Sequence, residues 1–107
     1  MPKDFALSPS DLSNLIVKRV PHMIIDIRED WEHEIVSFPH GKHIPLDKLR
    51  GYIPQIPLDK KIILVCHLGV RSDTMAAFLR ENGISAYSLK GGIEAWAQEI
   101  DPSLPRY

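Results

Sequence analysis

Cysteine is nearly absent from this chain: Cys66 stands alone among 107 residues. One thiol cannot close an internal disulfide, and there is no second cysteine for a thiolate zinc site. A lone thiol in its reduced form fits a reducing, cytoplasmic compartment. Long hydrophobic runs are missing too. No apolar stretch approaches the roughly 20 residues needed to span a bilayer, so no membrane segment is expected. The opening residues Met1-Pro2-Lys3-Asp4-Phe5 lack the apolar core of a secretory signal. Excess charge of either sign is also lacking, with 13 Lys and Arg against 14 Asp and Glu and a formal net charge of -1. That balance offers no electrostatic footprint for nucleic acid or an anionic membrane. There are no repeats or low-complexity tracts, and the length suits one compact domain over residues 1–107.

What is present is an alternation of short apolar runs and helical patterns. Phe5 to Leu7 reads as an edge strand. Ser8 caps a helix with Pro9 in its first turn, and Leu12, Leu15 and Ile16 follow at helical spacing to about Arg19. Met23 to Ile27 is a buried strand. Asp30 is the expected cap of a helix over Trp31 to Val36. His43 to Leu46 is extended because Pro45 drives Ile44 out of the helical region, and Asp47 to Ile53 forms a short helix. Lys61 to Val65 is the clearest strand, β-branched and apolar, and it ends at Cys66. Ser72 to Asn82 is the next helix, with Gly83 as its stop. Ala86 to Leu89 is a strand, and Gly91-Gly92 turns into a last helix from Ile93 to Ile100. The tail from Asp101 to Tyr107 is expected to pack on the surface. Strands alternating with helices predict an α/β fold, a parallel sheet covered on both faces. Catalytic groups in such sheets stand beyond the strand carboxyl ends, where Cys66 falls.

Cys66-His67-Leu68-Gly69-Val70-Arg71-Ser72 joins a strand end to a helix start. The first N–H groups of a helix lack backbone partners and carry partial positive charge. A loop curled around that point aims N–H groups inward as an anion nest. Gly69 supplies a backbone angle that side chains resist, and Arg71 adds a planar cation. Such a setting favours thiolate over thiol and binds an anion beside it.

The same segment resembles the active-site loop of rhodanese-like sulfurtransferases, in which Gly, any residue, Arg and Ser follow the cysteine. Asp26-Ile27-Arg28-Glu29 with Trp31-Glu32 resembles that family's Asp-Val-Arg-Glu strand end. His40 to Leu46 resembles its Gly-His-Ile-Pro-Gly-Ala segment, departing at Leu46-Asp47. Leu89 to Trp96 resembles its Gly-Gly-Ile-x-Ala-Trp run. The tail Asp101-Pro102-Ser103-Leu104-Pro105-Arg106-Tyr107 is similar to the end of rhodanese modules attached to adenylating enzymes of sulfur-carrier pathways. The resemblance implies a small three-layer fold with about five strands. It also implies sulfane sulfur moving from a donor such as thiosulfate to a thiophilic acceptor, through a persulfide on Cys66. A protein thiol or sulfur carrier is the implied partner, and no cofactor is called for. A cysteine-dependent phosphatase or arsenate reductase on the same fold, and a catalytically silent interaction module, are the competing readings.

Individual residues carry paired expectations. His67, Leu68, Gly69, Val70, Arg71 and Ser72 form the expected substrate-binding loop. Arg71 is read as a ligand for substrate or persulfide, with a loop-closing salt bridge as its other role. Ser72 caps the helix or touches the sulfur, and His67 tunes the thiolate or faces solvent. Asp26 and Arg28 are supports at a strand end. Trp31 and Trp96 belong to rim or core. His40 and His43 lack ligand partners at metal spacing, so no metal is expected.

Overall fold

Five strands, β1 (Ala6–Leu7), β2 (His22–Asp26), β3 (Lys42–His43), β4 (Lys61–Val65) and β5 (Ala86–Leu89), form one sheet in the order β1-β5-β4-β2-β3. Every neighbouring pair is parallel. The computed structural model describes residues 5–107, so the reading of the opening residues falls, for residues 1–4, outside the described part. Parallel strands need crossovers, supplied here by α1 (Pro9–Val17), α2 (Asp30–Ile35), α3 (Leu46–Tyr52) with a 3-10 turn at Ile53–Gln55, and α4 (Val70–Glu81). A fifth helix, α5 (Gly92–Glu99), follows the last strand.

The period-2 alternation of β4 divides the core. Ile62, Leu64 and Cys66 pack with Leu49 of α3 and with Ala76 and Leu79 of α4. Ile63 and Val65 point the other way, toward Leu12 of α1 and Ile93 and Trp96 of α5. All four of these β4 aliphatics are fully buried, each contributing about 1.5–3 kcal/mol of hydrophobic stabilisation. Being buried on both faces is what makes the strand read as a continuous apolar run. Asp26 lies opposite Val65 in the β2–β4 register, so the ends of the two central strands meet where β4 runs into Cys66.

Several boundaries differ from those read in the sequence. α4 starts at Val70, two residues before Ser72, because Gly69 takes a left-handed conformation (φ +95°) and itself becomes the cap. Val70, Arg71 and Ser72 therefore ride on the first turn of a helix. Glu29, not Asp30, caps α2; its backbone N–H donates to the Glu32 carboxylate at 3.0 Å, a reciprocal tie between cap and third helical residue. α1 ends at Val17, short of Arg19, whose φ is +55°. Leu46 already belongs to α3; the strand before it covers only Lys42–His43, and the chain stays extended through Pro45 (φ -53°, ψ 150°). Ser8 caps α1 through a capping box with Asp11.

Candidate active site

Cys66 follows the last residue of β4 and is almost wholly buried. Its Sγ accepts the backbone N–H of Gly69 at 3.1 Å and that of Ser72 at 3.4 Å. The thiol also lies 3.4 Å from Ser72 Oγ, which bonds Gly69 O and pairs with Ser88 Oγ at 2.7 Å. One buried hydroxyl thus adjoins the sulfur, with that of Ser88 behind it, and a hydroxyl can turn its proton toward a thiolate.

The inward N–H groups are matched by outward carbonyls. Cys66 O accepts the N–H of Ile93 at 2.9 Å, and His67 O accepts the N–H of Glu94 at 3.1 Å. These are first-turn donors of α5, which have no partner inside their own helix. The contact is close enough to require glycine. A Cβ on Gly92 would lie 2.4 Å from His67 O and 2.5 Å from Cys66 O, at a φ of +63°. On Gly69 a Cβ would come within 3.0 Å of Gly91 N. The Gly91-Gly92 turn is therefore the seat of the Cys66 loop. Leu68 and Val70 turn their side chains outward, 57% and 72% exposed, so what they bring to the nest is backbone.

Arg71 lies on the first turn of α4 with its guanidinium forked onto Glu32, Nη1 to Oε1 at 2.7 Å and Nη2 to Oε2 at 2.9 Å. Its side chain is 34% exposed against 3% for Glu32. It borders a cleft of about 470 Å³ whose other walls include Glu29, Asp30, Leu46, Asp47 and Lys48. The Leu46-Asp47 departure from the family pattern thus forms a wall of this cleft. Asp26 and Arg28 make a buried pair, Nε to Oδ1 at 2.9 Å and Nη2 to Oδ2 at 2.7 Å. Arg28 also donates to Glu32 O, Val36 O and the Tyr107 hydroxyl. Tyr107 in turn donates to Glu32 Oε2 at 2.8 Å. Its ring stacks on His67 at 3.9 Å between centroids and meets Trp31 edge-on at 6.1 Å.

Burial alone would push the Glu32 carboxyl upward. The hydrogen bonds from Arg71, the Glu29 backbone and Tyr107 outweigh it and hold the pKa at about 2. Arg71 is pushed above its ordinary range, first by its hydrogen bonds to Glu32 and further by the charges around it. Tyr107 is raised to about 12, foremost by burial. At neutral pH Glu32 and Arg71 are therefore a fixed ion pair beside a neutral phenol.

Sequence reasoning singled out neither Glu32 nor Tyr107 for this role. The reciprocal Glu29 and Glu32 spacing was the available signal for Glu32; for Tyr107 it was the likeness of the tail to the end of rhodanese modules, which does not say where the ring packs. Trp96 is core and Trp31 is rim, half-exposed. His40 stands edge-on to Phe38 and Trp96, whereas His43 stacks flat on His33. No helix among the described residues is long and apolar enough to cross a membrane.

Known proteins resemble this chain in sequence and fold. The adenylyltransferase and sulfurtransferase MOCS3 of Xenopus laevis is 32% identical over 126 residues, covering 98% of this chain and 28% of that protein. The chloroplastic rhodanese-like/PpiC domain-containing protein 12 of Arabidopsis thaliana is 37% identical over 89 residues, covering 78% of this chain and 30% of that protein. The chain thus spans less than a third of the curated relatives it matches. A crystal structure of a rhodanese-like domain protein from Staphylococcus aureus superposes with a TM-score of 0.80 at 29% identity, covering 95% of this chain and 97% of that one. The profile of the Rhodanese-like domain matches residues 8–99, a span that runs from the cap of α1 to the end of α5 and holds the Cys66 loop and its glycine seat; the chain belongs to the rhodanese-like domain family.

Proposed function

We propose that this domain is a sulfurtransferase that carries a sulfane sulfur on Cys66, taking it from a donor such as thiosulfate and giving it to a thiophilic acceptor. The observation that carries this reading is the sole thiol, held at a strand end under two inward backbone N–H groups, with Arg71 on the same helix turn. The Cys66 thiolate attacks the outer sulfur of thiosulfate. A new S–S bond forms, the old one breaks, and sulfite leaves with its electron pair. An acceptor thiolate or cyanide then attacks the terminal sulfur of the persulfide, and Cys66 leaves again as thiolate. No external oxidant or reductant enters the cycle.

Each loop residue has a part in this scheme. The Gly69 and Ser72 N–H groups stabilise the sulfur anion, first on the thiolate and then on the persulfide. His67, Leu68 and Val70 shape the nest, His67 with its ring against Tyr107. Arg71 binds the anionic donor, and Asp26 with Arg28 supports the wall behind it. The sulfurtransferase names of the relatives support the reaction class. Their coupling to an adenylyltransferase supports a protein thiol or sulfur carrier as acceptor. Incubation with thiosulfate should leave the protein heavier by one sulfur atom, and cyanide should remove that atom as thiocyanate. Cys66→Ser should do neither, and full turnover by that variant refutes the mechanism.

A further inference from the structure

We propose that Tyr107 is a positioning residue for Arg71, fixing the loop cation in the geometry that binds the anionic sulfur donor. This rests on the sulfurtransferase reading and extends it to a residue outside the loop.

The inference starts from Arg28, the most constrained side chain in the cluster. It is fully buried, forked onto Asp26, and tied to the carbonyls of Glu32 and Val36. Its Nη1 donates to the Tyr107 hydroxyl at 3.1 Å. With a lone pair of that oxygen taken, the hydroxyl proton is directed at Glu32 Oε2, 2.8 Å away. Glu32 is then held at four points: Oε1 by the Glu29 N–H and Arg71 Nη1, Oε2 by Arg71 Nη2 and Tyr107. Its carboxylate plane sets the plane of the Arg71 guanidinium. A guanidinium carries five N–H groups, and the Glu32 fork uses one from each terminal nitrogen. Arg71 can therefore keep its anchor while offering other donors to an anion in the cleft that it borders. Among the described residues the phenol links the side chains of the buried Asp26–Arg28 pair to those of the Glu32–Arg71 pair, while Arg28 also reaches the Glu32 backbone carbonyl. Removing it leaves Oε2 one donor short and frees the carboxylate to rotate, and with it the fork.

A tail anchor would produce the same contacts without any role at the site, so the test separates the two. Tyr107→Phe keeps the ring against His67 and Trp31 and deletes only the hydroxyl. Thiosulfate binding is measured by chemical-shift titration on Cys66→Ser protein, which cannot react. Adding Tyr107→Phe should weaken binding roughly fivefold, the worth of one ordinary hydrogen bond of about 1 kcal/mol, because the phenol acts on the donor only through Glu32 and Arg71. In an Arg71→Ala background it should add nothing, because the two residues act through one contact. With Cys66 intact, Tyr107→Phe should raise the thiosulfate concentration for half-maximal sulfur loading by the same factor and keep the maximal rate within twofold. Equal affinity, an undiminished effect in the Arg71→Ala background, a lowered maximal rate at unchanged half-saturation, or no thiosulfate binding to Cys66→Ser overturns the inference. Failure of wild-type protein to acquire sulfur overturns the sulfurtransferase reading instead, and the binding comparison still judges Tyr107.

Discussion

Replacing Glu32 by Gln removes one negative charge while keeping the volume, and its consequence can be worked out against pH. The Glu32 pKa lies at about 2 in the folded protein against an ordinary 4.5. At neutral pH that difference is worth roughly 3 kcal/mol of folding stability. Glu32 is almost fully buried, but its partner Arg71 is 34% exposed. Water can re-solvate the freed guanidinium, which reduces the net cost of Glu32→Gln to about 2 kcal/mol. The folded pKa is depressed, so the stabilisation is fully present above the unfolded value of 4.5 and fades as pH falls through about 2. Wild-type and Glu32→Gln proteins should be unfolded in urea at pH 7, 5, 4, 3 and 2.5, with slopes compared to exclude a change in the unfolded ensemble. The gap should be about 2 kcal/mol at pH 7 and 5, narrow below pH 4 and fall to roughly a quarter of its full size at pH 2.5. A gap that stays constant over this range refutes the claim that the ionised carboxylate is what holds the cluster.

Two further outcomes follow from the geometry. Gly92→Ala should destabilise the protein by at least about 2 kcal/mol and suppress sulfur loading, because the added carbon meets backbone atoms at 2.4 Å and demands a left-handed φ; a thermal midpoint and loading rate equal to wild type would show that the loop is not seated there. Aryl phosphates should not be hydrolysed at a rate dependent on Cys66, since four residues separate Cys66 from Arg71 and no carboxylate lies within Cys66 to Ser72 to protonate a leaving oxygen; phosphatase turnover exceeding sulfur transfer, and lost in Cys66→Ser, would promote the competing reading.

The sheet and the place of the thiol at a strand end were legible because both are local signals. Lys61 to Val65 is apolar and β-branched, its alternate residues serve two cores, and the chain after it is polar and contains glycine. Ser8 with Asp11 announced α1 in the same way. The start of α4 was misread because Val70 is apolar yet 72% exposed, and because its cap is a left-handed glycine with no capping side chain. The partner of Arg71 was not legible at all. Any of the 14 acidic residues could have met that guanidinium, and only the folded chain, which brings Glu32 in the first turn of α2 within 2.7 Å of Arg71, selects Glu32. Tyr107 is remoter still, 75 positions from the carboxylate it touches. The Gly91-Gly92 turn was visible as a turn, but its reason lies in a contact across the chain.

That contact has a consequence for the length of the loop. Cys66 and His67 are pinned by their carbonyls to α5, and from Gly69 onward the chain is committed to α4, so Leu68 alone bridges two fixed points. A residue inserted into this span has no slack to draw on. It must either lift the Gly91-Gly92 turn off the loop or unwind the first turn of α4, and both moves swing the amide dipoles away from the sulfur. Loop length and the glycine pair are thus mechanically coupled, so a longer ring around the sulfur calls for a change in the Gly91-Gly92 turn or in the start of α4 as well.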